Sequence, residues 1–180
     1  MPEVPLSSMI GPTLTPLRIQ SDSRGYFSKV FDGSSFENDK IGPLSLAVSK
    51  NILTGTLRGL HFQLAPFGEK KLITCLEGSI FDVIVDVRPN SSNFGNWSCI
   101  ELTSTDPHQL QVPAGFAHGY ITLRDLTIVS YVIWGKHSPE HSRRLAHDDP
   151  ILGITWPIPV VQISSQDDGA ASFAEIIKEL

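Results

Sequence analysis

Apolar and polar residues alternate with a period of two along most of this chain, in short runs closed by Gly, Pro, Asn, Asp or Ser. That period is the signature of strands with one face buried. The clearest case, residues 71–87, predicts a hairpin: Lys71-Leu72-Ile73-Thr74-Cys75-Leu76, a Glu77-Gly78 turn, then a second run from Ser79 to Val87. In that second run Phe81, Val83, Val85 and Val87 share one face, and Ile80, Asp82, Ile84 and Asp86 share the other. The segment from Gly55 to Gln63 predicts a strand with Leu57, His61 and Gln63 pointing the same way. Further strands are predicted over 97–102, 109–112, 117–123 and 127–134, with a loop at 88–96. Helical periodicity is confined to residues 34–38 and 171–180, where Phe173, Ile176, Ile177 and Leu180 form one stripe. Many short strands with turn signals between them predict an all-β jelly-roll barrel or sandwich, with short peripheral helices and a C-terminal helix. No repeat, heptad or linker divides the chain, so residues 1–180 are expected to form a single domain.

Composition narrows the function classes. A chain of 180 residues can bury a core without staples. Its formal charge of -5 disfavours nucleic acid or an anionic membrane as a broad electrostatic partner. Two or three well-placed cations would still hold an anionic small ligand. Cys75 and Cys99 lie in apolar strand-like runs and read as free thiols rather than a disulfide. The opening Met1-Pro2-Glu3-Val4-Pro5 carries no basic or long apolar stretch, so no signal peptide or membrane span is predicted and a cytoplasmic location is expected.

The candidate chemistry centres on two histidines. His61 lies in Gly55-Thr56-Leu57-Arg58-Gly59-Leu60-His61-Phe62-Gln63, and His118 in Pro113-Ala114-Gly115-Phe116-Ala117-His118-Gly119. Inward His and Gln side chains in an apolar sheet would build the polar floor of a small-molecule site. Together the two runs resemble the paired motifs of the cupin jelly roll. Metal-binding cupins offer two histidines at alternate positions; here Gln63 stands in the second place, and an amide is a poor ligand for zinc, iron or copper. Glu69 could still ligate, but no metal and no other cofactor is expected. Without a metal, an inward histidine is either a core imidazole satisfied by a carbonyl or a general base. A base needs an orienting carboxylate, with an acid across the substrate. Asp167, Asp82 and Tyr131 are candidates for those parts, and spacing alone leaves both readings open.

Blocks over almost the whole chain are similar to the dTDP-4-dehydrorhamnose 3,5-epimerase family. They are Asp22-Ser23-Arg24-Gly25-Tyr26-Phe27, the Gly55–Gln63 run, Lys71-Leu72, Phe81-Asp82-Val83 through Arg88, and Asn93-Phe94-Gly95-Asn96-Trp97. They continue with the His118 motif, Tyr131, Ser138-Pro139-Glu140, Asp148-Asp149-Pro150 and Leu152-Gly153-Ile154 to Trp156-Pro157. Each block is weak by itself; their order and spacing are specific.

The resemblance implies a cofactor-free isomerase with a cupin-like fold, acting on a nucleotide-activated 4-keto-6-deoxyhexose, and a homodimer whose subunits share strands. It implies His61 as general base with Asp167 as its carboxylate partner, Tyr131 as general acid, and Lys71 as the cation facing the enolate. Arg24 and Arg58 would hold the pyrophosphate, and His118 would touch substrate. Phe27, Gln63 and Asp82 would complete the substrate cavity, with Asp82 behind its surface. Strict alternation puts Arg58 on the face opposite His61, so a bulge near Gly59 is expected if both meet one ligand. Four departures fall in the nucleotide-reading set. Lys29 stands where the family usually has a carboxylate, and His137 where an aromatic stacks on the base. Gln166 replaces a basic residue, and Leu46-Ala47-Val48 replaces a Gln-x-Asn pair. The catalytic set is intact, so the resemblance carries keto-sugar epimerisation further than thymidine specificity or action at both centres; inversion at both C3 and C5 is its main form. Its alternatives are a single-centre 3- or 5-epimerase, a metal-dependent cupin enzyme and a silent nucleotide-sugar binder. The three tryptophans read as packing residues and Arg143-Arg144 as a solvated surface.

Overall fold

A computed structural model describes residues 1–33 and 44–180. The helix expected over 34–38 lies outside the described residues. The described residues form twelve strands: β1 (Thr13–Pro16), β2 (Ile19–Asp22), β3 (Gly25–Ser28), β4 (Leu44–Asn51), β5 (Leu57–Gln63) and β6 (Lys70–Glu77). They continue as β7 (Ser79–Asp86), β8 (Trp97–Thr103), β9 (His108–Val112), β10 (Phe116–Thr122), β11 (Thr127–Trp134) and β12 (Ser142–Arg144). Two short helices follow, α1 (Ser165–Asp168) and α2 (Phe173–Ile176). One five-stranded sheet has the order β1-β9-β6-β11-β4 and the other β12-β5-β10-β7-β8; β2 and β3 pair separately.

The strand order makes a cupin-like jelly roll. From β4 onward successive strands cross from one sheet to the other, except that β7 and β8 pair with each other across the 88–96 loop. This corrects the predicted 71–87 hairpin. Both strands exist, but β6 pairs with β9 and β11 while β7 pairs with β8 and β10. Glu77-Gly78 is a corner between sheets. Gly78 has φ +77°, and a Cβ there would lie 2.3 Å from Thr127 Oγ1 at the start of β11. Strands buried on both faces carry apolar residues on both, and a sharp Gly turn between two such runs is also what a hairpin looks like.

Residues from both sheets fill the space between them: Ile73, Leu110 and Val129 from one, Ile80, Ile84 and Tyr120 from the other. The outer face of the β5 sheet carries Leu60, Phe62, Val83, Val85 and Val87, which the tail covers with Leu145, Leu152, Phe173 and Ile176. The two predicted faces of β7 thus go to two different cores. The C-terminal helical stripe is half right. Phe173 and Ile176 are fully buried, but Ile177 and Leu180 are 43% and 38% exposed, because the chain tightens into a 3-10 turn over Ile177–Glu179. Trp97 and Trp134 are buried in packing, and Trp156 packs edge-on against Phe81. Cys75 and Cys99 are free thiols, as expected. No described helix is long and apolar enough to cross a membrane.

Candidate active site

The deciding irregularity lies in β5. His61 pairs with His118 on β10, but Arg58 pairs with Tyr120, so β5 holds one residue more than its partner between those two points. This is the bulge expected near Gly59. Gly59 has φ +127°, and a Cβ there would lie 2.5 Å from Gly119 Cα, so two glycines let the backbones touch. The extra residue brings Arg58 onto the face of His61 and Gln63. It also corrects the placement of Leu57, which pairs with Ile121 and so takes the strand face opposite Arg58 and His61, although Leu57 still borders the cavity.

A cavity of about 640 Å³ opens between the sheets, and Arg58, His61, Gln63, Lys71, His118, Tyr131 and His137 line it. His61 and His118 come from the β5–β10 side, Lys71 and Tyr131 from β6 and β11 of the facing sheet. His61 Nε2 lies 2.7 Å from Asp167 Oδ1, which leaves Nδ1 as the other ring nitrogen for a ligand. Asp167 reaches the site because Ser164 caps α1 and accepts a hydrogen bond from the Asp167 amide at 3.1 Å. Burial would raise the Asp167 pKa, but hydrogen bonds from His61, the Gly59 amide and Ser164 outweigh it and lower it. For His61 the balance runs the other way. Burial lowers the imidazole pKa more than Asp167 raises it, with Lys71 and Arg144 lowering it further. The carboxylate therefore fixes the ring, while the basicity it lends is overridden by desolvation.

Lys71 is buried, donates to the His61 carbonyl at 3.3 Å and lies 4.0 Å from Glu69. Burial pulls its ammonium below the ordinary lysine value, against Glu69 and Asp82, which hold it up. Tyr131 is pushed well above the usual phenol range, chiefly by burial, so it is a neutral proton donor at physiological pH. Behind the surface His118 Nε2 meets Asp82 Oδ2 at 2.9 Å, both groups buried. Asp82 Oδ1 has no partner among the described residues, and burial raises this carboxyl above its usual value.

The remaining predicted residues separate. Gln63 is buried with its amide occupied: it donates to the Phe67 and Lys136 carbonyls and accepts from the Ser138 amide and the Ser142 hydroxyl. His137 sits at the rim, 4.0 Å from Glu69 and largely exposed. Arg24 and Phe27 are not brought to the cavity. Arg24 is bound to Asp22 at the β2–β3 turn with its side chain 88% exposed, and Phe27 is 62% exposed. Among the described residues no group of three or more His, Cys, Asp or Glu could hold a metal ion.

Sequence reasoning missed two features. Arg143 and Arg144 line the cavity, where they had read as solvated surface. Arg144 pairs with His61 across β12 and β5 and donates to Asp167 Oδ1 at 3.1 Å. A polar chain also runs from Arg58 Nε to Asn51 Oδ1 at 2.7 Å, from Asn51 to the Tyr120 hydroxyl, and on to Ser49 at 2.7 Å. Ser49 ends it 3.4 Å from the Tyr131 hydroxyl. The alternation of Ala47 and Ser49 with Leu46 and Val48 in β4 was the available signal for this chain.

The sequence pattern that defines the dTDP-4-dehydrorhamnose 3,5-epimerase family matches residues 8–175. This chain belongs to that family. The dTDP-4-dehydrorhamnose 3,5-epimerase of Sinorhizobium fredii is 44% identical over 151 residues, covering 83% of this chain and 77% of that protein. A solved epimerase of Mycobacterium tuberculosis superposes with a TM-score of 0.88 at 31% identity, covering 96% of this chain and 88% of that one. A 3'-monoepimerase from Streptomyces bikiniensis, solved with dTDP-quinovose, gives a TM-score of 0.86 at 29% identity over 94% of this chain and 87% of that one. The protein is thus an isomerase of the epimerase type with a cupin-like jelly-roll fold.

Proposed function

We propose that this epimerase inverts C3 and C5 of dTDP-4-dehydro-6-deoxyglucose, without a cofactor, to give dTDP-4-dehydrorhamnose. The observation that carries the reading is the opposition of two groups across one cavity. A carboxylate-held imidazole, His61, stands on one sheet, and a protonated phenol, Tyr131, on the other.

The chemistry asks for this opposition. The 4-keto group acidifies the hydrogens at C3 and C5, and a base that removes one leaves an enolate with its charge on the carbonyl oxygen. His61 Nδ1 takes the proton, and Asp167 steadies the imidazolium that results. The Lys71 ammonium, buried beside the cavity, stabilises the enolate oxygen more than the ketone it came from. Tyr131 returns a proton to the opposite face of the carbon and the centre is inverted; His61 then gives its proton to solvent and the Tyr131 phenolate takes one up, which resets both groups for the second centre. Arg58 suits the diphosphate because its planar fork binds two oxygens at once.

A second copy of the chain is the expected partner. β4 is an edge strand that turns Leu46 (71% exposed) and Val48 (60% exposed) outward, and the β2–β3 pair exposes Ile19, Tyr26 and Phe27. Covering both with a second subunit buries this apolar surface. It also gives Arg24, so far from the cavity of its own chain, a route to a neighbouring one. Incubation with dTDP-4-dehydro-6-deoxyglucose in deuterated water tests the reaction. NMR should show deuterium entering both C3 and C5 with inversion at each. Exchange at one carbon alone would instead support the single-centre reading, which the likeness to a 3'-monoepimerase favours.

A further inference from the structure

Arg144 is placed unlike a surface arginine. It stands directly across from His61 in the β12–β5 ladder and on the same face. Its Nε donates to Asp167 Oδ1 at 3.1 Å, the same oxygen that His61 Nε2 approaches to 2.7 Å. Its Nη2 donates to Gln166 Oε1 at 2.7 Å, so two consecutive residues of the tail hold the guanidinium in place. The second carboxylate oxygen is taken by the Gly59 amide at 3.4 Å. Asp167 thus divides one oxygen between a fixed cation and the imidazole.

We propose that Arg144 is a positioning residue of the His61–Asp167 pair: it orients the carboxylate and, as a permanent positive charge beside the ring, favours the neutral imidazole that can accept a proton. The inference rests on the reading of His61 as base. The carboxylate's attraction for an imidazolium is shared with a guanidinium that never deprotonates, and the guanidinium repels the imidazolium directly. Other groups face the ring as well. Lys71 approaches from β6, Asp167 from α1 and His118 from β10, while Arg58, Glu69 and Tyr131 line the same space. Among these cations Arg144 alone also binds Asp167. Burial is the main cause of the lowered His61 pKa, and Lys71 and then Arg144 push in the same direction.

The test is an NMR titration of the His61 ring in the full-length, ¹⁵N-histidine-labelled protein, run beside the pH dependence of kcat/KM. In R144Q and R144A the imidazole midpoint should rise by about half to one pH unit, a partly exposed charge having been removed nearby. R144K, which keeps the charge, should return most of that shift. The acid limb of kcat/KM should move upward with the midpoint. A midpoint unchanged or lowered in folded R144Q and R144A overturns the inference. A midpoint that rises while the acid limb stays in place supports the role of Arg144 and overturns His61 as the base. The two readings therefore fail separately.

Discussion

His61 and Tyr131 carry the most direct expectations. His61→Ala should abolish solvent exchange at both carbons, a loss of about a hundred- to ten-thousandfold, because no other imidazole in the cavity is held by Asp167. Tyr131→Phe should keep some exchange but lose inversion, since the phenol acts after the proton has left; deuterium incorporation compared with product formation separates the two. The pH dependence follows from the sign of the His61 shift. A histidine driven below its ordinary value near 6.5 stays neutral into more acidic solution. The acid limb of kcat/KM should therefore have its midpoint below 6.5, measured as initial rates across pH. At this scale the sequence was legible where a residue type is chemically unusual: an inward His, a Lys in an apolar run, a Tyr in a strand. Arg143-Arg144 was not legible, because a charge pair in a loop looks the same whether it meets water or a carboxylate. Only the pairing of β12 with β5 tells the two apart.

Among the elements, β5 does the decisive positioning, and its bulge could be anticipated because Arg58 and His61 sit at odd spacing. Gly59→Ala should destabilise the protein by about 3 kcal/mol, combining a left-handed backbone position with a contact into Gly119. Denaturant unfolding would measure this, and activity should fall with it as Arg58 leaves the cavity. The corner at Gly78 was harder to foresee. An alternating pattern fixes which face a residue takes but not which neighbour its strand pairs with, and both β6 and β7 are apolar enough to sit in either sheet. β4 was missed for a related reason. Its outward residues are Leu46 and Val48, and an exposed apolar face does not resemble the polar face of a one-sided strand.

On the scale of the whole molecule, the outward faces of β4 and the β2–β3 pair lead to the remaining expectation. Leu46→Glu combined with Val48→Glu should shift sedimentation from a two-chain to a one-chain species while circular dichroism still reports β structure. Activity should drop along with the mass, because Arg24 would then be stranded in solvent. The tail has a consequence of a different kind. After β12 it runs back over the outside of the barrel, fastened at Thr56–Gln162 and Leu145–Ala171, and delivers Asp167 to His61. The reacting imidazole and the carboxylate that orients it thus belong to separate stretches of polypeptide. Substitutions confined to the stretch around Asp167, with the buried Phe173 and Ile176 kept, offer a way to reset the imidazole's orientation without altering any residue of the cavity strands.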